Sequence, residues 1–264
     1  MRGIYSAGVL DAFLDHDFNP FDLCIGVSAG ASNAAAYLGK KRGRNYRIYT
    51  DYCLRPEFKS LRRFLRGSHL IDIDWLWDIT EKELPIGEDE IEAQSTEFLI
   101  TITCAETAKP HYLAAQRGEL FQQLKASGCM PLAFKNNVMH ANKQWFDGGV
   151  SDSLPVNEAY NRGARKILVI RSNPASYRKK PYALKALFPL LLKRYPAIAA
   201  SLAERHNHYN ASLDFIRQPP KDCDIIEICP HDSFAASQFT TDIHTLNQAY
   251  QLGIDDGLKT VQHW

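Results

Sequence analysis

The 264-residue chain has almost no charge imbalance: 31 Lys and Arg face 30 Asp and Glu, a formal net charge of +1. That removes the global positive field on which nucleic-acid binding rests, so no nucleic-acid partner is expected. The six cysteines (Cys24, Cys53, Cys104, Cys129, Cys223, Cys229) form no Cys-x-x-Cys pair and no Cys/His group at zinc spacing. A zinc ribbon and a redox dithiol are thereby excluded, and no metal ligand set is expected. Three of the six lie in apolar, strand-like runs, where cysteine acts as a small buried hydrophobe, and a reducing, cytoplasmic compartment is the simplest expectation. No apolar run reaches the roughly 18 residues that span a bilayer. There is no Gly-x-Gly-x-x-Gly fingerprint and no P-loop Lys-Ser/Thr, which leaves nucleotide binding without a motif. Internal repeats and low-complexity tracts are missing as well.

What is present describes an ordinary globular chain, 45% hydrophobic and 23% charged, long enough for one α/β domain with an appendage. Residues 3–14 carry Ile4, Val9, Leu10, Phe13 and Leu14 at helical spacing. A short strand is expected in the first half of the stretch 21–38, with further strands at 97–104 and 166–170, another within 221–229, and 111–115 as a hairpin partner or neighbour of 97–104. Helices are expected in the second half of the stretch 21–38 and at 119–126, 152–162, 198–216 and 243–261. Strands alternating with helices at these spacings argue for a largely parallel sheet covered on both faces.

Two charge runs stand out. Ten basic residues against Asp51 and Glu57 lie between Lys40 and Arg66, and nine acids against Lys82 lie between Asp72 and Glu92. The favoured reading is that these surfaces neutralise each other; the other is a basic face for anionic lipid headgroups. The segment from Arg178 to Arg194 holds six leucine or phenylalanine residues from Leu184 to Leu192, with basic flanks and no acid. It is the best candidate for peripheral contact with an anionic membrane, and Pro181, Pro189 and Pro196 preclude one straight helix.

The chemistry centres on Gly26-Val27-Ser28-Ala29-Gly30, between an apolar strand and an alanine-rich helix. This is a nucleophile-elbow pattern: Gly26 and Gly30 lack the Cβ atoms that would block so tight a turn, and the serine sits at a helix N-terminus that favours negative charge. A serine hydroxyl needs a base. One option is a histidine held by a carboxylate, with His206, His208, His231 or His244 following Asp147 in α/β-hydrolase order. The other is a carboxylate acting directly. With only 27 residues before Ser28, the elbow comes too early for an α/β-hydrolase.

Several motifs in order resemble the patatin-like phospholipase family: Arg2-Gly3 before a helix that reaches Gly8-Val9-Leu10, the elbow Gly26 to Ala31, Ala126 to Pro131, Asp147-Gly148-Gly149, and Asp152-x-x-Pro155-Val156. The resemblance covers residues 1–171, taken as the catalytic domain, with 172–264 as a mostly helical C-terminal part packed on the same sheet. It implies a three-layer α/β/α fold around a mostly parallel central sheet, and hydrolysis of lipid acyl esters by a Ser–Asp dyad through an acyl-enzyme, without cofactor. Ser28 matches the nucleophile, Asp147 its partner, and Gly148 and Gly149 the dyad turn. The family's oxyanion loop is Gly-Gly-Gly-x-Arg-Gly after a first strand; Met1 stands at x, so Arg2 and Gly3 are its remnant, and the strand and three glycines are missing. The expectation is that the natural protein extends upstream of Met1, and that the chain as it stands is weakly active and less stable than an extended form. A non-catalytic lipid- or protein-binding module is the alternative.

Overall fold

The computed structural model describes residues 1–60, 62, 63, 66, 72–132, 138–237 and 239–264. Two of the expected strands lie side by side: β1 (Leu23–Val27) and β2 (Glu97–Cys104) form a parallel ladder that ends with Val27 opposite Thr101. Every β2 residue after Glu97 is buried, which is why this run is apolar or β-branched throughout. β3 (Pro110–Ala114) returns antiparallel along the other edge of β2. β4 (Val138–His140) and β5 (Lys143–Asp147) form a hairpin whose second strand also pairs antiparallel with β2. In this five-stranded sheet β1, β2 and β4 point one way and β3 and β5 the other.

Antiparallel ladders are thus more numerous in this sheet than a helix–strand alternation suggests, because β2–β3 and β4–β5 are joined by short turns rather than crossover helices. The β4–β5 turn is Ala141-Asn142, both with positive φ (48° and 60°), the backbone sign of a two-residue hairpin loop. β6 (Lys166–Ile170) and β7 (Asp224–Ile228) pair in parallel as a separate two-stranded sheet. The C-terminal strand therefore extends β6 and does not join the five-stranded sheet.

Ten helices are described: α1 (Gly3–Asp15), α2 (Ala29–Leu38), α3 (Arg44–Thr50), α4 (Ile73–Glu83), α5 (Glu88–Glu92), α6 (Leu120–Ser127), α7 (Val156–Asn161), α8 (Phe188–Leu191), α9 (Pro196–Arg217) and α10 (Ile243–His263). α7 is shorter than its pattern, starting after Pro155, because the Asp152 carboxylate accepts from the Leu154 N–H and the Tyr112 hydroxyl and holds 152–155 as a turn. Side chains of α1, α2, β2, α6, β5 and α9 share one core, including Tyr5, Phe13, Leu38, Ile100, Leu124, Phe146 and Ile198. The α/β/α class expected from the sequence is what the chain adopts.

The C-terminal helix is tied to the N-terminal one. A Cβ on Gly8 would lie 2.2 Å from the Tyr250 carbonyl oxygen, and one on Gly253 would lie 2.1 Å from that of Tyr5. The backbones of α1 and α10 therefore touch where glycines remove the side chains. Two tyrosines clamp the crossing: Tyr5 donates to Asp256 at 2.8 Å and Tyr250 donates to Asp11 at 2.7 Å. The opposed charge runs meet in part, through Lys41–Glu90 at 2.8 Å and Arg63–Asp72 at 3.8 Å. Arg42 and Arg55 pair with the nearby Asp15 and Asp51, and Arg44 is buried, donating to the Leu84 carbonyl. Four of the ten basic residues of this stretch are thus ion-paired among the described residues.

Candidate active site

The register of β2 brings the elbow to the acid. Thr101 pairs with Val27 of β1 and Tyr112 of β3, so β1 and β3 lie on opposite edges of β2. Ile102 pairs with His111 of β3 and Asp147 of β5, so β5 lies on the β1 edge. β1 and β5 thus approach head-on along one edge, their last residues opposite consecutive positions, Thr101 and Ile102. Ser28 and Asp147, 119 residues apart in the chain, follow from this register as neighbours. The Ser28 hydroxyl donates to Asp147 Oδ2 at 2.7 Å.

Ser28 holds φ +52° and ψ −123°, the strained bend between β1 and α2, at a cost on the order of 1–3 kcal/mol. The bend is closed by Gly26, whose absent Cβ would lie 2.4 Å from the Ala31 Cα. Gly30 is different: a Cβ there would meet nothing within 4 Å and its φ is not positive. The tight-turn explanation therefore holds at Gly26 and is corrected at Gly30, which borders open space beside exposed Ala29.

Asp147 is about 1% exposed. Its Oδ1 accepts the Gly149 N–H at 2.7 Å, leaving Oδ2 for the serine. A Cβ on Gly148 would lie 2.2 Å from the Thr101 carbonyl oxygen, so the turn seats directly on β2. Burial raises the Asp147 pKa above the ordinary carboxylate value; Arg205, the Ser28 hydroxyl, the Gly149 N–H and Lys179 oppose the shift without cancelling it. A carboxylate so desolvated is a stronger base than one in water.

The stretch Ala126 to Pro131 supplies what sequence reasoning does not assign. Ser127, fully buried, accepts the Ser28 N–H at 2.8 Å and donates to the Thr101 carbonyl at 2.7 Å. The Cys129 carbonyl accepts the Asp147 N–H at 2.9 Å. The end of α6 and the residues just after it thus fix the backbones of Ser28 and Asp147, a role visible only in space. Ser127→Ala leaves two buried groups unpaired and is expected to cost about 1–3 kcal/mol in urea unfolding, with a fall in ester turnover. A variant unchanged in both would show that the bond is idle.

Gly3 lies beside the elbow: a Cβ on it would be 3.3 Å from that of Ala29, and its carbonyl accepts from Asn33. Arg2 donates to the Asn173 side chain. The first N–H groups of α2, on Ala29 and Gly30, have no backbone partner among the described residues. No imidazole is hydrogen-bonded to Ser28 among the described residues. His206 Nδ1 faces the Ala203 carbonyl and His231 Nδ1 faces Ser233, both within their own local segments. The histidine option has no geometry to support it.

The family model described as "Patatin-like phospholipase" matches residues 1–160. The chain belongs to the patatin-like phospholipase family. A second model, "Domain of unknown function (DUF6363)", matches residues 195–264, which hold α9, β7 and α10. The chain is 31% identical over 256 residues to a protein of Escherichia coli (strain K12) named "Uncharacterized protein YjjU", covering 96% of this chain and 72% of that relative. As a patatin-like protein the chain falls in a family of lipid acyl hydrolases. Its elbow and acid sit wholly within the patatin-like match, while Arg205, which bonds the Gly149 carbonyl, comes from the second.

Proposed function

We propose that this protein hydrolyses lipid acyl esters with Ser28 as nucleophile and Asp147 as its base, through an acyl-enzyme. The observation that carries the reading is the 2.7 Å hydrogen bond from a strained serine to a buried carboxylate. In the acylation step Asp147 takes the hydroxyl proton while Ser28 Oγ bonds the ester carbonyl carbon. The tetrahedral adduct collapses, the C–O bond to the alcohol breaks, and Asp147 returns its proton to the leaving oxygen. Water then attacks the acyl-enzyme by the same proton route, regenerating Ser28 and releasing the fatty acid. The free N–H groups at the start of α2 support the oxyanion, together with helix-terminal polarity. The test is steady-state hydrolysis of p-nitrophenyl butyrate: Ser28→Ala is expected to abolish it, and undiminished activity would defeat the reading.

The site meets its substrate at a membrane surface. Tyr182, Leu184, Leu187, Leu190 and Leu191 are 40–66% exposed, a concentration of bare apolar side chains within one short segment. Lys180, Lys185, Lys193 and Arg194, all exposed, flank them. Tyr182 accepts a hydrogen bond from Arg205 at 2.8 Å, which links this patch to the Asp147 turn. The compensated stretch 40–66 is the weaker lipid contact. Among the described residues no helix is long and apolar enough to cross a membrane, so the proposed contact is peripheral. Flotation with anionic vesicles is expected to recover the protein in a salt-sensitive manner, and Leu190→Ser with Leu191→Ser to weaken binding roughly tenfold. Equal recovery with neutral vesicles would remove the electrostatic part.

A further inference from the structure

The turn that follows Asp147 is held from outside the five-stranded sheet. Gly148–Val150 is a single 3₁₀ turn with every residue buried. So short a turn makes few hydrogen bonds of its own, and its geometry depends on what packs against it. That neighbour is α9, which is seated in the main core through Ile198 and Leu202. Ser201 and Arg205 follow Ile198 at helical spacing and share its face. Both reach the turn: Ser201 Oγ donates to the Val150 carbonyl at 3.3 Å, and Arg205 Nε donates to the Gly149 carbonyl.

Gly149 is gripped on both sides. Its N–H donates to Asp147 Oδ1 at 2.7 Å, and its carbonyl accepts from Arg205 and, at 2.7 Å, from the Ser153 hydroxyl. Glycine fixes its own φ and ψ less than any other residue, so these outer bonds aim the N–H that Asp147 accepts. With Oδ1 held there, Oδ2 is left on the Ser28 hydroxyl. A Cβ on Gly149 would lie 2.9 Å from an Arg205 terminal nitrogen and 3.0 Å from Asp147 Oδ1, so guanidinium and carboxylate flank one backbone position. Among the described residues Arg205 makes no ion pair; its other hydrogen bond goes to the Tyr182 hydroxyl. Burial raises the Asp147 pKa, and Arg205 leads the influences that oppose the rise. Lys179, before α9, acts in the same direction, and the Cys129 thiol, after α6, is pushed up by burial to about 12 and is neutral.

We propose that Arg205 is a positioning residue for the acid of the dyad: α9 holds it against Gly149, where its hydrogen bond aligns Asp147 with Ser28 and its guanidinium faces the carboxylate. The inference rests on the Ser28–Asp147 reading. It gives the segment matched at residues 195–264, a domain of unknown function, a part in ester hydrolysis.

The experiment is the pH profile of p-nitrophenyl butyrate hydrolysis by the full chain, for wild type, Arg205→Gln, Arg205→Lys and Ser201→Ala, with melting temperatures taken alongside. Arg205→Gln is expected to lower kcat on the alkaline plateau by about 10–100-fold with KM unchanged, because the side chain aligns a reacting group and does not hold the ester. Its acid limb is expected to move to higher pH, since a carboxylate that loses a neighbouring cation takes up a proton more readily. Arg205→Lys is expected to keep the wild-type limb but recover only part of kcat, because an ammonium lacks the planar fork. Ser201→Ala, which also loosens α9 from the turn, is expected to melt lower without moving the limb. A folded Arg205→Gln protein with the wild-type limb, or a limb that moves as far in Ser201→Ala, would overturn the assignment. So would Arg205→Lys with the wild-type kcat, which carries the test if the glutamine variant unfolds. Ser28→Ala hydrolysing like wild type would instead defeat the dyad itself.

Discussion

Asp147→Asn is expected to lower kcat for p-nitrophenyl butyrate by about 10²–10⁴-fold, the range spanned by a general base. The substitution isolates proton transfer from architecture. The new amide would keep an oxygen for the Gly149 N–H and turn its NH₂ toward Ser28, whose hydroxyl can rotate to accept. The two hydrogen bonds survive with one reversed, and the serine loses its proton acceptor. Stability should move the other way. Burial raises the Asp147 pKa in the folded state, so its contribution to stability is fully present below the unfolded pKa and is lost as pH rises through the folded one. Above its folded pKa the wild type carries a desolvated charge that the amide lacks, and there the variant should melt no lower than wild type, with the difference growing as pH rises from the unfolded pKa to the folded one. The same shift sets the pH profile: kcat/KM of wild type should fall on the acid side around a pKa above the ordinary Asp value of about 4. A variant that is inactive because it is unfolded would contradict this, as would an acid limb at or below that value.

The second large effect concerns the fold. Gly253→Ala should lower stability by about 2 kcal/mol or more, although helix propensity alone favours alanine by about 1 kcal/mol. The opposing effect is overpacking, typically about 1–3 kcal/mol where side chains can adjust. Here the new Cβ would sit 2.1 Å from the Tyr5 carbonyl oxygen, a backbone atom within α1 that cannot rotate away. The helices must separate, which also strains the Tyr5–Asp256 and Tyr250–Asp11 hydrogen bonds. For a chain of this size the melting temperature should drop by roughly 5 °C. Gly30→Ala is the matched control, since its Cβ would meet nothing within 4 Å and the propensity gain is unopposed there. A Gly253→Ala protein as stable as the Gly30→Ala one would show that the α1–α10 crossing is slack.

Local sequence makes β1, α2, β2, β6, α9 and α10 legible, because each has a long apolar period or an unbroken β-branched run. The β4–β5 hairpin is not, because its turn is Ala141-Asn142 with positive φ at both residues and lacks the Asn-Gly pair that usually announces such a loop. Ser28 and Asp147 can be named from their glycine-flanked motifs. Their meeting cannot, because it depends on β1 and β5 ending at consecutive positions of β2, a register that neither local stretch encodes. Ser127 and Cys129 are visible as a motif and silent as to purpose, since their partners lie in other elements. Gly30 misleads in the opposite direction: glycine in an elbow pattern suggests a steric need that the surrounding space does not impose.

Charge in the C-terminal part is harder still to read from composition. Arg178 to Arg194 looks like a single basic, apolar segment, yet its members do different things. Arg178 is paired with Asp214, the Lys179 ammonium lies over the Tyr209 ring, and Leu184, Leu187, Leu190 and Leu191 face outward. Hydrophobic periodicity cannot separate such neighbours, because Pro181 and Pro189 break the segment into short turns with no common face.

The most direct measurement is labelling with a fluorophosphonate, followed by peptide mass spectrometry, on wild type and Asp147→Asn side by side. The dyad predicts one phosphonylated peptide, modified at Ser28, formed much more slowly in the variant. Labelling at another serine, or equal rates in the two proteins, would contradict it.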